Sequence, residues 1–283
     1  VNLPKRLRAA RLGDEQPMEL VLVTPGTYAF GVADGRRREG ELPARKVQIE
    51  RPYYIAINEV TNGQYQRFFD AEGQQKAGTR WQVASRKWAE PKGLDPTKND
   101  LPVTNVSHQE AEAFCQWLGG RLPTEIEWEA AVRGPKDRGF PLPWGRGEPA
   151  PERCQIFYGE LGPVPVTKLT AGASPLGLMN AIGNAAEWCR DSVQSGAYIL
   201  RGTSFATANI DDVRVTWRRR GEEQGEEDTG FRVVIPVDVG MPISSLPRGD
   251  SHAASGGPTL MTPVFVLYSL PWDSFARQLG SQE

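Results

Sequence analysis

The strands that the sequence pattern predicts are short apolar segments separated by Gly, Pro and charged residues. They cover residues 19–23, 27–31, 47–49, 53–57, 198–202 and 230–235. Segments of this length that are rich in Val, Ile, Leu and Tyr are typical of β-strands. The pattern therefore predicts short strands towards both ends of one folded unit, with turns and short irregular segments over residues 135–195.

Three helices are predicted from their first residues. Thr61, Ser107 and Thr124 are each followed three positions later by Gln or Glu, which is the spacing of a capping box. In a capping box the hydroxyl accepts from the third helical N–H, and the Gln or Glu accepts from the N–H of the capping residue. Apolar residues then follow at helical spacing and should be buried: Tyr65, Phe68 and Phe69 in the first helix, Ala111, Phe114, Cys115 and Leu118 in the second, and Trp128, Ala130 and Ala131 in the third.

The same pattern divides the chain into three parts. Residues 1–17 are basic and polar, and we expect a loose or helical lead-in there. The folded domain should cover residues 18–236, with a long polar excursion at residues 72–100. Residues 237–283 are rich in Gly, Ser and Pro before a small apolar patch, which predicts a linker and a C-terminal appendage.

Composition supports a loop-rich α+β domain. The chain has 283 residues, enough for a substantial core, and its 30 Gly and 23 Pro do not suit a helical bundle or a solenoid. Its 33 basic and 35 acidic residues give a net charge of −2, so nucleic acid is not an expected partner. The apolar runs are far shorter than the roughly 18 residues that a membrane span needs.

Residues that bind transition metals are scarce. The two histidines, His108 and His252, are too few for a histidine-rich zinc, copper or iron centre. His108 follows a helix N-cap and is predicted to be a surface substitution rather than a catalytic base. Cys115 should be a core thiol, whereas Cys154 and Cys189 either pair as a disulfide or stay reduced.

Specific strings appear in order along the domain. They are EVTNGQY (59–65), RLPTEIEWE (121–129), PWG (143–145), GLMN (177–180), GNAAEWC (183–189), LRGTSF (200–205) and GFR (230–232). In these strings and their spacing, residues 18–236 resemble the formylglycine-generating-enzyme (sulfatase-modifying factor) family. The resemblance implies an α+β, C-type-lectin-like single domain with little regular secondary structure.

The resemblance also implies where redox chemistry would lie. The oxidase members carry two cysteines, five residues apart, shortly after an Arg-Gly-Gly-Ser motif. Here the motif reads Arg201-Gly202-Thr203-Ser204, and Thr207 and Asp212 stand near the two cysteine positions. Since Cu(I) requires soft thiolate ligands, copper is not expected. Iron is not expected either, because the resemblance assigns the iron ligands to a separate helical domain that is not found here. No residue is assigned a catalytic role, and the interpretation leans against an enzyme.

Calcium is the one cofactor that the resemblance supports. Asn184, Ala185 and Glu187 match a calcium loop of the family, and an amide oxygen, carbonyls and a carboxylate suit a hard cation. The alternative is a buried hydrogen-bonded turn. The other calcium site of the family corresponds to residues 153–155 and 165–168, where suitable ligands are missing.

A recognition surface is predicted after the Arg-Gly-Thr-Ser motif. Its expected partner-binding residues are Ser204, Thr207, Arg214, Trp217, Arg218 and Arg219. A Trp among arginines supplies stacking and bidentate binding of carboxylates. The alternative is a solvated charged loop, because the acidic residues at 222–228 would partly cancel the basic charge.

These observations favour a non-catalytic, protein-binding regulatory module. The resemblance points to a periplasmic regulator of type VI secretion, whose partner would be a receptor or kinase ectodomain. One alternative is a periplasmic tailoring oxidoreductase acting on a siderophore-type small molecule, and a weaker one is a diversified ligand-binding protein. A periplasmic or otherwise extracytoplasmic location follows from the resemblance and from a first residue that is Val rather than Met.

Overall fold

The structure is a computed structural model that describes residues 3–75, 98–158 and 162–237, apart from positions 14, 16, 33–36, 39, 137, 138 and 195. Most of the predicted polar excursion and the predicted appendage beyond residue 237 lie outside the described residues.

Ten short strands form three sheets in the described part of the chain. In chain order they are β1 (Arg6–Arg8), β2 (Glu19–Val23), β3 (Gly26–Phe30), β4 (Arg45–Ile49), β5 (Tyr53–Ala56), β6 (Ala186–Gln194), β7 (Ala197–Arg201), β8 (Arg218–Glu222), β9 (Thr229–Gly230) and β10 (Val234–Pro236). One antiparallel sheet has the order β1-β2-β5-β10, and β3 pairs with β4 as a separate hairpin. The third sheet has the order β8-β7-β6-β9, in which β9 runs parallel to β6.

The three predicted helices are confirmed as α1 (Asn62–Gln75), α2 (His108–Trp117) and α3 (Glu125–Arg133). Each begins with its predicted capping box. Thr61 Oγ1 accepts from the Gln64 N–H at 3.2 Å, and the Thr61 N–H donates to Gln64 Oε1 at 3.1 Å. Ser107 with Glu110 and Thr124 with Glu127 form the same reciprocal pair.

The predicted loose or helical lead-in is wrong for residues 6–8. Arg6–Arg8 pairs with β2, so that Leu7 faces the core with 5% exposure. Arg6 and Arg8 flank Leu7 and both bind Glu19, at 3.3 and 3.4 Å. The basic character of this segment therefore belongs to the outer face of a strand.

Two strands were missed, and one predicted strand is split. The sequence pattern predicts irregular structure at Ala186–Gln194 and a charged surface segment at Arg218–Glu222, but both form strands. Both carry mostly charged or polar residues on their exposed positions, so alternation of apolar residues does not reveal them. The predicted strand at 230–235 is interrupted at residues 231–233, where Arg232 turns into the protein interior.

The core has two parts, one on each side of the sheets. Aromatic rings of α1 and α2 dominate the first part, where Tyr65 stacks on Phe114 with 5.8 Å between ring centroids. The second surrounds Trp128 of α3 and includes Cys154 and Cys189. The predicted buried residues lie in these clusters, except Phe69, which is 36% exposed. None of the helices in the described ranges is both long and apolar enough to cross a bilayer.

Candidate functional site

The Arg-Gly-Thr-Ser motif is a buried structural element at the end of β7. Arg201 donates to Glu129 of α3 at 2.5 Å, and each side chain is 1% exposed. Gly202 has a φ of +67°, and a Cβ there would lie 2.5 Å from the Ala181 carbonyl oxygen. Only glycine fits this conformation and this contact.

Thr207 and Asp212, which the family resemblance places near the redox cysteine positions, carry hard oxygen groups that already have partners. Thr207 Oγ1 accepts from the Ser204 N–H at 3.0 Å. Asp212 binds Arg38 at 3.0 Å, and Asp211 binds the same guanidinium at 2.7 Å. These groups stabilise the loop and supply no soft ligand for Cu(I).

The three cysteines of the chain are not redox-active substitutes. Cys115, Cys154 and Cys189 are buried free thiols, so the disulfide alternative for Cys154 and Cys189 is wrong. Burial raises the pKa of each thiol, most strongly for Cys115 and Cys189. Because a thiolate is the reactive and metal-binding form, none of the three is prepared for redox chemistry. Within the described ranges no group of three or more His, Cys, Asp or Glu side chains is arranged to hold a metal ion.

The predicted calcium ligands lie in a buried polar cluster, which consists of Glu59, Asn180, Asn184, Glu187 and Arg232. Arg232 binds both carboxylate oxygens of Glu187, at 2.5 Å each, and both side chains are 0% exposed. Trp128 Nε1 also donates to Glu187, at 2.7 Å. Asn184 Oδ1 accepts from the Val164 N–H at 2.8 Å. Both side-chain ligands predicted for calcium therefore already have protein partners.

Glu59, like Asn180 and Arg232, is a member of the buried polar cluster that the sequence did not reveal as a site residue. Its carboxylate accepts from Asn180 at 3.1 Å, from Asn184 at 2.9 Å and from the Ala185 N–H at 3.0 Å. Burial, and then the nearby carboxylate of Glu187, raise the pKa of Glu59 to about 8. The only sequence signal was a Glu placed directly before an apolar residue and a helix cap.

The buried polar cluster retains one feature that a cation would satisfy. When both carboxylates are ionised, Glu59 and Glu187 carry two negative charges against the single charge of Arg232. In addition, Asn180 Oδ1 is buried and has no hydrogen-bond partner in the described part of the structure. Asn184, Ala185 and Glu187 therefore do not fit as the ligand set, because the two side chains already have protein partners. The orphaned oxygen, and the extra negative charge when both carboxylates are ionised, fit a hard cation near Asn180.

Two of the predicted partner-binding residues serve the loop itself. Ser204 is 2% exposed and its hydroxyl donates to Asp228 Oδ2. Thr207 is half-buried and accepts from the Ser204 N–H. The prediction that Ser204 faces a partner is therefore wrong, because the side chain closes the turn after β7.

The remaining predicted residues do lie near the surface, but their charges are engaged. Each guanidinium has a carboxylate partner: Arg214 binds Glu41 at 3.1 Å, Arg218 binds Glu125 at 2.9 Å, and Arg219 binds Glu226 at 2.6 Å. Trp217 is half-buried. We use the name arginine surface for the accessible parts of Arg214, Trp217, Arg218 and Arg219, of which Arg218 and Arg219, as neighbours in β8, point to opposite sides of the strand. It is held in place by ion pairs rather than loosely solvated.

Exposed apolar residues near Thr207 and Asp212 in the chain or in space were not predicted. Phe157, Tyr158 and Ile210 are 40%, 42% and 51% exposed. The Phe157 N–H donates to the Thr207 carbonyl oxygen at 3.0 Å, which joins this loop to the Thr207 position. Single apolar residues in irregular loops have no periodicity, so no sequence pattern predicts their exposure.

His108 is buried, and the prediction of a surface substitution is wrong. It is 7% exposed and stacks on Tyr198, with ring centroids 3.5 Å apart. Its Nε2 lies 3.1 Å from the Cys189 carbonyl oxygen, and burial lowers its pKa. This environment defines a core aromatic residue that stays neutral.

Comparison with known proteins gives the family of the chain. Residues 8–237 match the model of the sulfatase-modifying factor enzyme 1-like domain, so the chain belongs to that family. Among solved structures, PvdO from Pseudomonas aeruginosa matches with a TM-score of 0.65 at 19% identity, over 84% of this chain and 100% of the other. The expected α+β fold of the formylglycine-generating-enzyme type is thereby confirmed.

Sequence relatives differ in what their names describe. The chain is 31% identical over 222 residues to the formylglycine-generating enzyme of Bos taurus, which covers 62% of this chain and 58% of the relative. It is 29% identical over 277 residues to the inactive C-alpha-formylglycine-generating enzyme 2 of Bos taurus, covering 80% and 90%. It is 28% identical over 254 residues to the serine/threonine-protein kinase Pkn1 of Chlamydia trachomatis, covering 78% and 39%. The match thus spans little more than half of the first relative and well under half of the kinase.

Proposed function

We propose that this chain is a non-catalytic binding module that uses the scaffold of the formylglycine-generating enzymes to contact a protein partner. The observation that carries the proposal is that residues 205–217, after the Arg201-Gly202-Thr203-Ser204 motif, hold no cysteine, with Thr207 and Asp212 standing near the positions expected for the redox pair. Both are engaged in hydrogen bonds or ion pairs that hold the loop. The family scaffold is thus retained without its soft metal ligands.

The buried thiols do not restore the missing chemistry. Their raised pKa values keep them protonated at neutral pH, whereas copper binding and thiol exchange both need thiolates. Rescue by one of these cysteines would require the core around it to open.

The arginine surface supports binding because its geometry is set before a partner arrives. The Arg218 guanidinium is fixed by Glu125 at 2.9 Å and by the Gly40 carbonyl oxygen at 3.0 Å. The half-buried Trp217 beside it is the kind of residue on which binding energy concentrates. A rigid surface loses less conformational freedom on association than a mobile loop does. The exposed Phe157, Tyr158 and Ile210 add apolar area to the protein surface.

The names of the relatives support a regulatory role without deciding it. One relative is described as inactive and another as a serine/threonine-protein kinase. A domain of this family within a kinase chain is in keeping with a role in signalling rather than turnover. We propose a receptor or kinase ectodomain as the partner, in a periplasm or another extracytoplasmic compartment, with regulation of a secretion-system kinase pathway as the specific role.

The alternative is a tailoring oxidoreductase that acts on a siderophore-type small molecule. Its support is that another relative is named as a formylglycine-generating enzyme. This alternative requires redox turnover without a cysteine pair, and therefore predicts thermal stabilisation by a small metabolite. Binding as a diversified ligand-binding protein is a weaker variant of the first proposal.

Affinity capture with matched variants tests the proposal. The full chain is immobilised and exposed to the extracytoplasmic fraction of its source organism, and the bound proteins are quantified by mass spectrometry. Trp217→Ala combined with Arg219→Ala should lose the captured ectodomain, since both side chains belong to the arginine surface. In the described structure Arg219 pairs with Glu226, which is 53% exposed, and with Asp228, which is 17% exposed. Arg45→Ala is the control, because Arg45 is an exposed arginine on another sheet. Equal capture by the double variant, or no specific capture by the wild type, would overturn the proposal.

We also propose a structural calcium ion in the buried polar cluster, at a position near Asn180. Its support is the orphaned Asn180 Oδ1 and the nearby Glu59 carboxylate, whose raised pKa a bound cation would lower. Calcium bound only to the native state would raise the melting temperature in a concentration-dependent way. Native mass spectrometry and a melting curve with and without a chelator test this. No bound calcium together with an unchanged melting temperature would contradict it.

A further inference from the structure

A groove beside the arginine surface is not used by anything described above. It consists of two adjoining cavities of about 560 and 330 Å³, which share Phe140, Leu142 and Gly145 in their walls. Cavities of roughly 300–1,000 Å³ are typical of ligand sites. The first cavity also includes Arg214, so the groove is continuous with the arginine surface.

The walls of the groove combine apolar and charged side chains. Pro141 and Val213 line the first cavity, and Ile210 at its edge is 51% exposed. Pro143 and Trp144 line the second. Grooves in which prolines and aromatic rings alternate suit extended peptide chains, which lay their side chains into successive pockets.

The groove also carries positive charge that the fold does not use. Arg146 lines the first cavity and Lys136 the second, and neither forms an ion pair within the part of the chain that the structure describes. The Arg146 guanidinium lies 5.4 Å from the centroid of the Phe140 ring, a cation–π contact on a wall common to both cavities. Glu148 is the exposed acid in the lining, and Asp211 is already paired with Arg38 at 2.7 Å. The groove therefore has a net positive charge, although the protein as a whole carries −2.

We propose that this groove binds an extended peptide segment of the partner, in which acidic residues are separated by apolar ones. The inference rests on the proposed binding function and names the chemistry that the partner presents. Carboxylates would pair with Arg146 and Lys136, and apolar side chains would occupy the two cavities. Charge complementarity favours an acidic occupant, and the succession of two joined cavities favours an extended chain over a compact small molecule.

The test uses the full chain and an array of synthetic nonapeptides. Two glutamates are placed two to six positions apart among Leu, Pro and Tyr, and each peptide has a matched copy with Gln in place of Glu. The wild type should bind the glutamate peptides with an optimum spacing and the Gln copies about tenfold more weakly. Arg146→Glu and Lys136→Glu should each lower the affinity for the best glutamate peptide by about tenfold. Arg45→Glu is a matched control, because Arg45 is also exposed and lies 5.1 Å from the Phe30 ring centroid.

The outcomes separate this inference from the function on which it rests. Equal binding of Glu and Gln peptides, no binding of any peptide, or full binding by Arg146→Glu would overturn the groove proposal. Tighter binding of benzoate than of the best peptide, measured by calorimetry, would replace the peptide with a small organic anion. If Arg146→Glu still captured the partner from the extract, the binding module would stand without the groove. If the acidic peptides bound as expected but no partner were captured, the binding-module function would fail on its own.

Discussion

Replacing Arg232, the buried cationic side chain of the polar cluster, should strongly destabilise the fold. Arg232 forms two 2.5 Å bonds with Glu187 and donates to the carbonyl oxygens of Ala56, Ile57 and Met179 at 3.0, 2.9 and 2.9 Å. Breaking a buried ion pair by removing one partner costs about 3–5 kcal/mol, because the remaining charge is left unpaired. A buried carbonyl oxygen that is left without any donor adds about 1–3 kcal/mol, although the Ile57 oxygen keeps the Met179 N–H as a donor. Arg232→Met should therefore cost at least about 5 kcal/mol, which is comparable with the whole stability of many domains.

A double-mutant cycle measured by urea unfolding checks this reasoning. Glu187→Gln combined with Arg232→Met removes the uncompensated charge, so the pair should be less destabilised than Arg232→Met alone. Arg232→Lys keeps the charge but loses the planar fork, and it provides a milder variant if Arg232→Met does not fold. Arg220→Met is the control, since the Arg220–Glu222 pair is 46% and 65% exposed and should contribute at most about 1 kcal/mol. A cost for Arg232→Met or Arg232→Lys no larger than that of Arg220→Met would refute the account.

Three further predictions concern the core. Burial lowers the pKa of His108 in the folded state, although Glu223 and Glu112 oppose this effect. Its contribution to the free energy of unfolding should therefore be complete above about pH 6.5 and should fall as the pH drops below that value. Between pH 7.5 and 5.5 the urea midpoint of His108→Phe should decrease less than that of the wild type, and an equal decrease would contradict the assignment. A thiol reagent should find no rapidly reacting cysteine in the native protein and three after denaturation, whereas one thiol or fewer after denaturation would indicate a disulfide. Gly202→Ala should lower the melting temperature by several degrees, since it costs about 1–3 kcal/mol to place a Cβ in this strained position; an unchanged melting temperature would show that the turn relaxes freely.

Much of the fold follows from local signals in the sequence. The capping boxes at Thr61, Ser107 and Thr124 fixed three helix starts because both partners lie within four residues of each other. The apolar strands β2 to β5 followed from composition in the same way. By contrast, β6 and β8 place charged residues on exposed positions, and only pairing with β7 makes them strands.

Of the candidate site, only the sequence motifs could be predicted. The absence of cysteines after Ser204 could be read directly, and it is the basis of the proposed function. The roles of Glu59 and Arg232 could not, because they depend on contacts between residues far apart in the chain, such as Glu59 with Asn184 and Arg232 with Met179. The burial of Ser204 and His108 was missed for the same reason.

The central claim is that this scaffold acts without the redox cysteine pair, and anaerobic Cu(I) titration followed by oxygen uptake tests it most directly. The wild type should bind no Cu(I) in competition with a chelator and should consume no oxygen with a thiol substrate. Thr207→Cys combined with Asp212→Cys supplies the missing soft ligands and should bind one equivalent of Cu(I), which shows that the assay detects such a site. Stoichiometric Cu(I) binding by the wild type with oxygen consumption would contradict the claim and identify the chain as an oxidase.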